Sequence, residues 1–176
     1  VNMVAGPIDM NNGMFDLRQG HTTRVDESQP VPSTLVSEAA RTLIAFSGVT
    51  ILPDIPEYYR KYPALLNFLS AQKMPWKESR TLAGEIGEYI VMMRETEDAY
   101  LVGAATNESG RTIDLPLSFL EKGKYTVEVI EDGDDAHYLT NRESLKVTTW
   151  QLTNNDKLAL KLAPGGGACL VIKKTP

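Results

Sequence analysis

Near residue 75 the hydrophobic period of the chain changes, and that change restricts its architecture more than anything else in it. Upstream, apolar residues recur at helical spacing and prolines punctuate them. Downstream they fall into short alternating runs with turn residues between. A chain of 176 residues with this break holds either one large domain or one domain plus a piece of another.

The upstream part begins with Val1 to Ala5, an apolar run stopped by Gly6-Pro7, which predicts a buried strand. Asn11 to Pro32 is polar and carries Asn11-Asn12-Gly13, Gly20 and two prolines. A loop of about twenty residues in a compact domain is usually functional or disordered. Ser33 is placed to cap a helix. Leu35, Ala39 and Leu43 share one face of it, and Val36, Ala40 and Ile44 an adjacent one. Gly48 is placed to end that helix. Asp54 is expected to cap a second helix with Pro56 in its first turn. Pro63 opens a third through Leu65, Leu66, Phe68 and Leu69, and Met74-Pro75-Trp76 closes the helical part.

Downstream, strands are predicted at Arg80 to Ala83, Tyr89 to Arg94, Tyr100 to Ala105 and Thr112 to Leu115. Four more follow around Tyr125 to Ile130, Leu145 to Thr149, Leu158 to Leu162 and Cys169 to Ile172. Asn107 to Gly110 has the composition of a hairpin turn. Eight strands at spacings of roughly ten residues point to a sandwich or barrel. The two parts are unequal. One strand, an excursion and three helical segments do not close a layered domain. The expectation is therefore one β/α unit at the end of a repeated α/β structure in residues 1–75, followed by an all-β domain in residues 76–176. The β part should fold by itself. The helix faces of Val1 to Met74 should bury against it, self-associate or stay mobile.

Charge and cysteine content exclude several function classes. The net charge of −5 is spread along the chain, against the basic stripe of a nucleic-acid binder and against binding to anionic membranes. No apolar run approaches the ~20 residues of a membrane helix. Val1 to Asp9 has neither the basic segment nor the apolar stretch of a secretory leader. The single cysteine, Cys169, sits in the apolar run Ala168 to Ile172 and reads as a small core residue.

The order of short motifs resembles the C-terminal end of glycoside hydrolase family 97, the α-glucosidase and α-galactosidase family. The motifs are Gly6-Pro7-Ile8-Asp9 with Gly13, Ser33-Thr34-Leu35, Ser47 and Asp54-Ile55-Pro56-Glu57. Beyond these come Leu82 to Tyr89, Gly103-Ala104 with Thr106 and Arg111, and Pro116 to Leu120. Thr140-Asn141 and Leu162 to Gly167 complete the set. Met10, Asn11 and Asn12 depart from the family's Tyr-Thr-Pro. The resemblance implies the last β/α unit of a (β/α)₈ barrel followed by a C-terminal β-sandwich. It implies a longer enzyme, periplasmic or secreted, that hydrolyses terminal α-linked glucose or galactose from oligosaccharides. It also implies a calcium ion held by glutamates upstream, and the barrel itself as a partner. The alternative reading is non-catalytic, a structural cap or a carbohydrate-binding module.

Glycoside hydrolysis needs two carboxylates flanking the scissile bond. The family motifs carrying those and the calcium ligands do not occur here, so no catalytic or metal residue is assigned in this chain. Asp9, just past a strand end, is the residue expected near substrate, because barrel enzymes build sites at the C-terminal ends of strands; the plainer reading is an Asx-turn. His21 and Arg24 could reach a ligand from the long loop. His137 with Asp134 and Asp135 reads as a polar loop rather than a metal site. Glu85 and Glu88 read as a solvated pair around a turn. Trp76 and Trp150 read as core or interface anchors. Gly165 to Gly167 joins two strands and is not a phosphate loop.

Overall fold

The computed structural model describes residues 10–17, 31–47 and 50–175. The expected strand over Val1 to Ala5, Gly48, and the residues Asp9, His21 and Arg24 lie outside the described residues. Three helices come first: α1 (Leu35–Ile44), α2 (Pro56–Arg60) and α3 (Pro63–Ala71). Eight strands follow: β1 (Glu78–Glu85), β2 (Tyr89–Glu95), β3 (Tyr100–Thr106), β4 (Arg111–Pro116), β5 (Lys124–Asp132), β6 (Leu145–Thr153), β7 (Lys157–Leu162) and β8 (Gly167–Lys174). Each of the eight strands predicted after residue 76 is present. A six-stranded sheet runs β1-β2-β3-β8-β5-β6, and β4 and β7 form a separate pair. Every named pair is antiparallel. No helix among the described residues is long and apolar enough to cross a membrane.

Two expectations about the β part change. Asn107 to Gly110 is not a hairpin, because it carries the chain from β3 in the large sheet to β4 in the small one. Its shape comes from Asn107 Oδ1, which accepts the Ser109 amide, and from the Thr106 hydroxyl, which donates to the Ser109 carbonyl. Nor does the β part close on itself. The pleat sends alternate residues of the large sheet into two different cores. Val91, Met93, Val102, Val127, Leu170 and their neighbours meet β4 and β7. Met92, Leu101, Ala105, Ile130 and Cys169 meet the helices, with Leu35, Leu43, Leu65 and Phe68. The helix faces are thus spent inside the chain. In α1 only Arg41 escapes burial, so this helix offers no face for self-association.

Small residues let α1 lie close to the sheet. A Cβ on Gly103 of β3 would stand 2.9 Å from the Ala40 carbonyl oxygen. One on Gly167 of β8 would stand 2.6 Å from the Ala104 oxygen and 2.7 Å from Ser37 Cα. Both distances are too short for any side chain, so glycine at these positions sets the helix–sheet spacing.

The ends of α1 are held by charges of the sign its dipole favours. At the N-terminus Thr34, not Ser33, is the cap, and its hydroxyl accepts the Ser37 amide. Buried Asp132, at the end of β5, lies beside Thr34 and accepts the Ala163 and Gly167 amides at 3.0 and 2.7 Å. At the C-terminus no glycine cap is used. The helix stops at Ile44 because Arg94 of β2 takes its last carbonyls, Nε donating to Leu43 at 3.3 Å and Nη2 to Ile44 at 3.1 Å. Arg94 is 2% exposed, and its guanidinium carbon lies 4.6 Å from the centre of the Trp76 ring and 5.6 Å from that of Phe46. Trp76 therefore does anchor the helical part to the strands. Burial lowers the Arg94 pKa to about 10, leaving it charged at neutral pH.

Arg94→Met should destabilise the chain by ~3–5 kcal/mol, because it removes two charged hydrogen bonds and a buried cation–π contact while orphaning two carbonyls. A urea midpoint unchanged from wild type would refute the clamp. Asp132 behaves differently. Desolvation by burial raises its pKa from 3.8 to about 6, against hydrogen bonds from Thr34, Ala163 and Gly167 that lower it. A carboxyl with a raised folded pKa binds its proton more tightly folded than unfolded, so its contribution to stability grows as pH falls through 6 toward 4. Relative to Asp132→Asn, wild type should gain about 2 kcal/mol between pH 7 and pH 4. Parallel pH–stability curves for the two proteins would count against it.

Candidate functional site

The segment Met10 to Leu17 follows the residue expected near substrate and is fastened at several points. Met10 forms a parallel bridge with Thr50, and its carbonyl accepts the Ile51 amide. Glu38 on α1 accepts the Gly13 amide through Oε2 at 3.4 Å and faces Arg41 through Oε1. Asp54 accepts both the Phe15 and Asp16 amides, at 2.6 and 2.7 Å. The Tyr59 hydroxyl accepts the Asp54 amide and donates to the Gly13 carbonyl, both at 3.1 Å. The Phe15 ring packs 4.8 Å from that of Tyr59. Burial is the main reason the Tyr59 pKa rises to about 12. The expectation that Asp54 caps the second helix is therefore corrected. The N-cap position of α2 is Ile55, which has no side-chain cap, and Asp54 turns to the loop instead. A carboxylate that can gather two loop amides at once satisfies more orphaned donors there than at a five-residue helix.

Beside this loop lies a cleft of about 840 Å³, bounded by Asn12, Arg41, Ile44 and the β1–β2 turn from Glu85 to Glu88. Its walls carry no nucleophile set against a base. Ile86 at its rim is 89% exposed, and Ile51 and Ile55 are also exposed. Apolar side chains of this size on a rim belong to docking surfaces more often than to open solvent.

The other sequence candidates fall apart chemically. Glu88 pairs with Arg111 at 2.9 Å, and Glu85 stays exposed across a turn that Gly87 closes at φ 83°. The two do not form an acid–base couple. His137 stacks on Tyr138 and accepts the Leu139 amide at Nδ1. Asp134 pairs with Lys161, and Asp135 accepts from Ser144 and Asn141. These are polar-loop contacts. No group of three or more His, Cys, Asp or Glu able to hold a metal forms among the described residues. Cys169 is fully buried, and burial pushes its thiol pKa well up. Gly165 to Gly167 joins β7 to β8 as read. Trp150 is not a core residue: it is 51% exposed, because the small sheet does not reach β6. Sequence reasoning missed Arg94, Asp132 and Tyr59. For the first two a signal existed, a charge inside or at the end of an apolar strand.

Comparison with known proteins adds context to this geometry. A family model described as "Glycosyl-hydrolase 97 C-terminal, oligomerisation" matches residues 75–173. A retaining alpha-galactosidase of Bacteroides thetaiotaomicron is 31% identical over 174 residues, 98% of this chain and 26% of that protein. A probable retaining alpha-galactosidase of Streptomyces bingchenggensis is 27% identical over 132 residues, 75% of this chain and 19% of that protein. A glycoside hydrolase family 97 enzyme from Pseudoalteromonas sp. strain K8, solved with acarbose, superposes with a TM-score of 0.89 at 30% identity. The match covers 99% of this chain and 27% of that one. The chain thus spans about a quarter or less of the length of its curated relatives.

Asp54→Ala should leave two loop amides without an acceptor. We expect ~2–3 kcal/mol of destabilisation and faster hydrogen exchange at Phe15 and Asp16. Asp54→Asn, which keeps one acceptor oxygen, should recover most of the protection. Unchanged exchange in Asp54→Ala would show that the loop is held by other contacts.

Proposed function

The chain belongs to the glycosyl-hydrolase 97 C-terminal family through residues 75–173, and from that membership we propose that it is the C-terminal part of an α-glycoside hydrolase. The longer enzyme removes terminal α-linked glucose or galactose from oligosaccharides. The observation that carries this is the extent of the match to the alpha-galactosidase. It runs over 98% of the chain, across the break near residue 75, yet takes up only 26% of the relative. Residues 1–75 are then the last β/α unit of the catalytic barrel, and residues 76–176 the terminal β-domain. The names of both curated relatives favour galactose. The acarbose and panose complexes of the Pseudoalteromonas enzyme favour glucose.

In this reading the chain supplies support, not reacting groups. The general acid and its partner carboxylate lie upstream, as does any calcium, for which the described residues here do not provide a site. Arg94 and Asp132 clamp α1 to the sheet. Through Glu38, α1 then holds the loop that follows Asp9, the residue we place near the sugar. The cleft and the exposed Ile86 at its rim face the rest of the barrel. We place the enzyme in the periplasm or outside the cell. Residues 75–173 also join copies of the enzyme, in keeping with the family description. The carbohydrate-binding alternative has one observation in its favour, exposed Trp150. Among the described residues no ring contact joins it to a second aromatic in a flat platform.

The 176-residue chain should not hydrolyse nitrophenyl α-galactoside or α-glucoside, since general acid–base groups contribute ~10²–10⁴-fold each. The longer enzyme should hydrolyse one of them, and its Asp9→Asn variant should raise KM while leaving thermal stability unchanged. Turnover by the chain alone above a blank would overturn the assignment.

A further inference from the structure

Among the described residues the large sheet ends in two free edges, and they are built differently. β1 has the features that keep an edge from pairing. It carries Glu78, Arg80 and Glu85, and its register breaks between Thr81 and Ala83. β6 has none of these. Its nine residues pair with β5 in unbroken register from Leu145 to Thr153. Its only charge, Lys146, is drawn to Glu131 on its own sheet.

β6 also overhangs both neighbouring layers. The β4–β7 pair lies over β5 and β8, and α1 lies over β3 and β8. Val147, on the helix side, is 43% exposed, and Trp150, on the opposite side, is 51% exposed. Thr149 between them is exposed as well. Backbone edge and both faces are therefore uncovered along the middle of one strand.

We propose that β6 is the surface through which two copies of this chain associate, pairing antiparallel across a two-fold axis to continue one six-stranded sheet into the other. This rests on the oligomerisation reading above and assigns its surface. The strand suits its own copy. With the axis at Thr149 all nine residues overlap; Lys146 faces Leu152, Val147 faces Gln151 and Thr148 faces Trp150. No like charges meet, and the ladder hydrogen bonds of the free edge are satisfied. Within one chain the Trp150 indole already donates to the Thr148 hydroxyl at 3.2 Å, so both residues are positioned for that contact. A two-fold arrangement closes the assembly at a dimer rather than leaving another copy of the same edge free.

The test is sedimentation velocity and light scattering on the full chain. Wild type should dimerise. The double variant Val147→Lys/Trp150→Lys places like charges on both faces of the join and should raise the dimer dissociation constant at least ~30-fold. Thr81→Lys on the β1 edge should leave it unchanged. Facing Cα atoms at such an axis stand ~4.5–5.5 Å apart, within disulfide reach. Thr149→Cys should therefore oxidise to a covalent dimer, while Thr81→Cys should form no covalent dimer and buried Cys169 does not interfere. A wild type that is monomeric at about 100 µM would defeat the oligomerisation reading itself. A dimer that survives in the folded lysine variant and does not cross-link through Thr149→Cys would leave that reading standing and overturn the assignment to β6.

Discussion

Helix α1 is held to the large sheet by opposite charges at its two ends, and the remaining contacts of the helical part are arranged around it. Asp132 stands at the N-terminus beside the Thr34 cap, and Arg94 takes the carbonyls at the C-terminus. Each is a buried charge that would be costly if unpaired. Arg94 is tolerated because the helix end supplies two carbonyl acceptors, and Asp132 because the β7–β8 connection supplies two amide donors. The arrangement also explains the glycines. Dipole and hydrogen-bond contacts of this kind need the helix backbone close to the strands, and Gly103 and Gly167 permit the approach.

With α1 in place, the other elements of the helical part have something to bind. Thr42 exchanges hydrogen bonds with Gln72, just past α3. Glu38 reaches the loop at Gly13. Phe15 and Leu17 enter the same core as Leu43, Phe68 and Cys169. The family match begins at residue 75, yet most of the buried residues in one of the two cores of the matched region come before it. A sequence boundary and a packing boundary therefore differ here. The helical part gives the β-domain its second layer, and the β-domain gives the helices a floor. Through α1 and Glu38 the geometry of the sheet is carried to the loop at Gly13.

Several local readings failed for one common reason, that a side chain's partner was far away in sequence. Asp54 looks like a helix cap because Pro56 follows it; it binds amides about forty residues earlier. Gly48 looks like a helix stop; α1 ends sooner because Arg94, about fifty residues later, binds its carbonyls. Asn107 to Gly110 looks like a hairpin turn, yet the strands it joins belong to different sheets. Trp150 looks like a core residue by type, and it is exposed because β6 lies beyond the reach of the layers above and below.

What the sequence determined by itself was the set of elements. Short apolar runs bounded by turn residues mark all eight strands, with period-two alternation in those at Tyr125, Leu145 and Leu158, and the paired rows Leu35-Ala39-Leu43 and Val36-Ala40-Ile44 mark a helix with a broad apolar face. These follow from backbone geometry, which a short window of residues expresses fully. The ordered motifs likewise carried the family resemblance. The tertiary structure alone decided which sheet each strand joins, which face α1 covers, and that Arg94, Asp132 and Tyr59 matter more than the histidines and paired glutamates. Those outcomes depend on distance in space, and a buried charge or a free strand edge has no meaning until the layers around it have been placed.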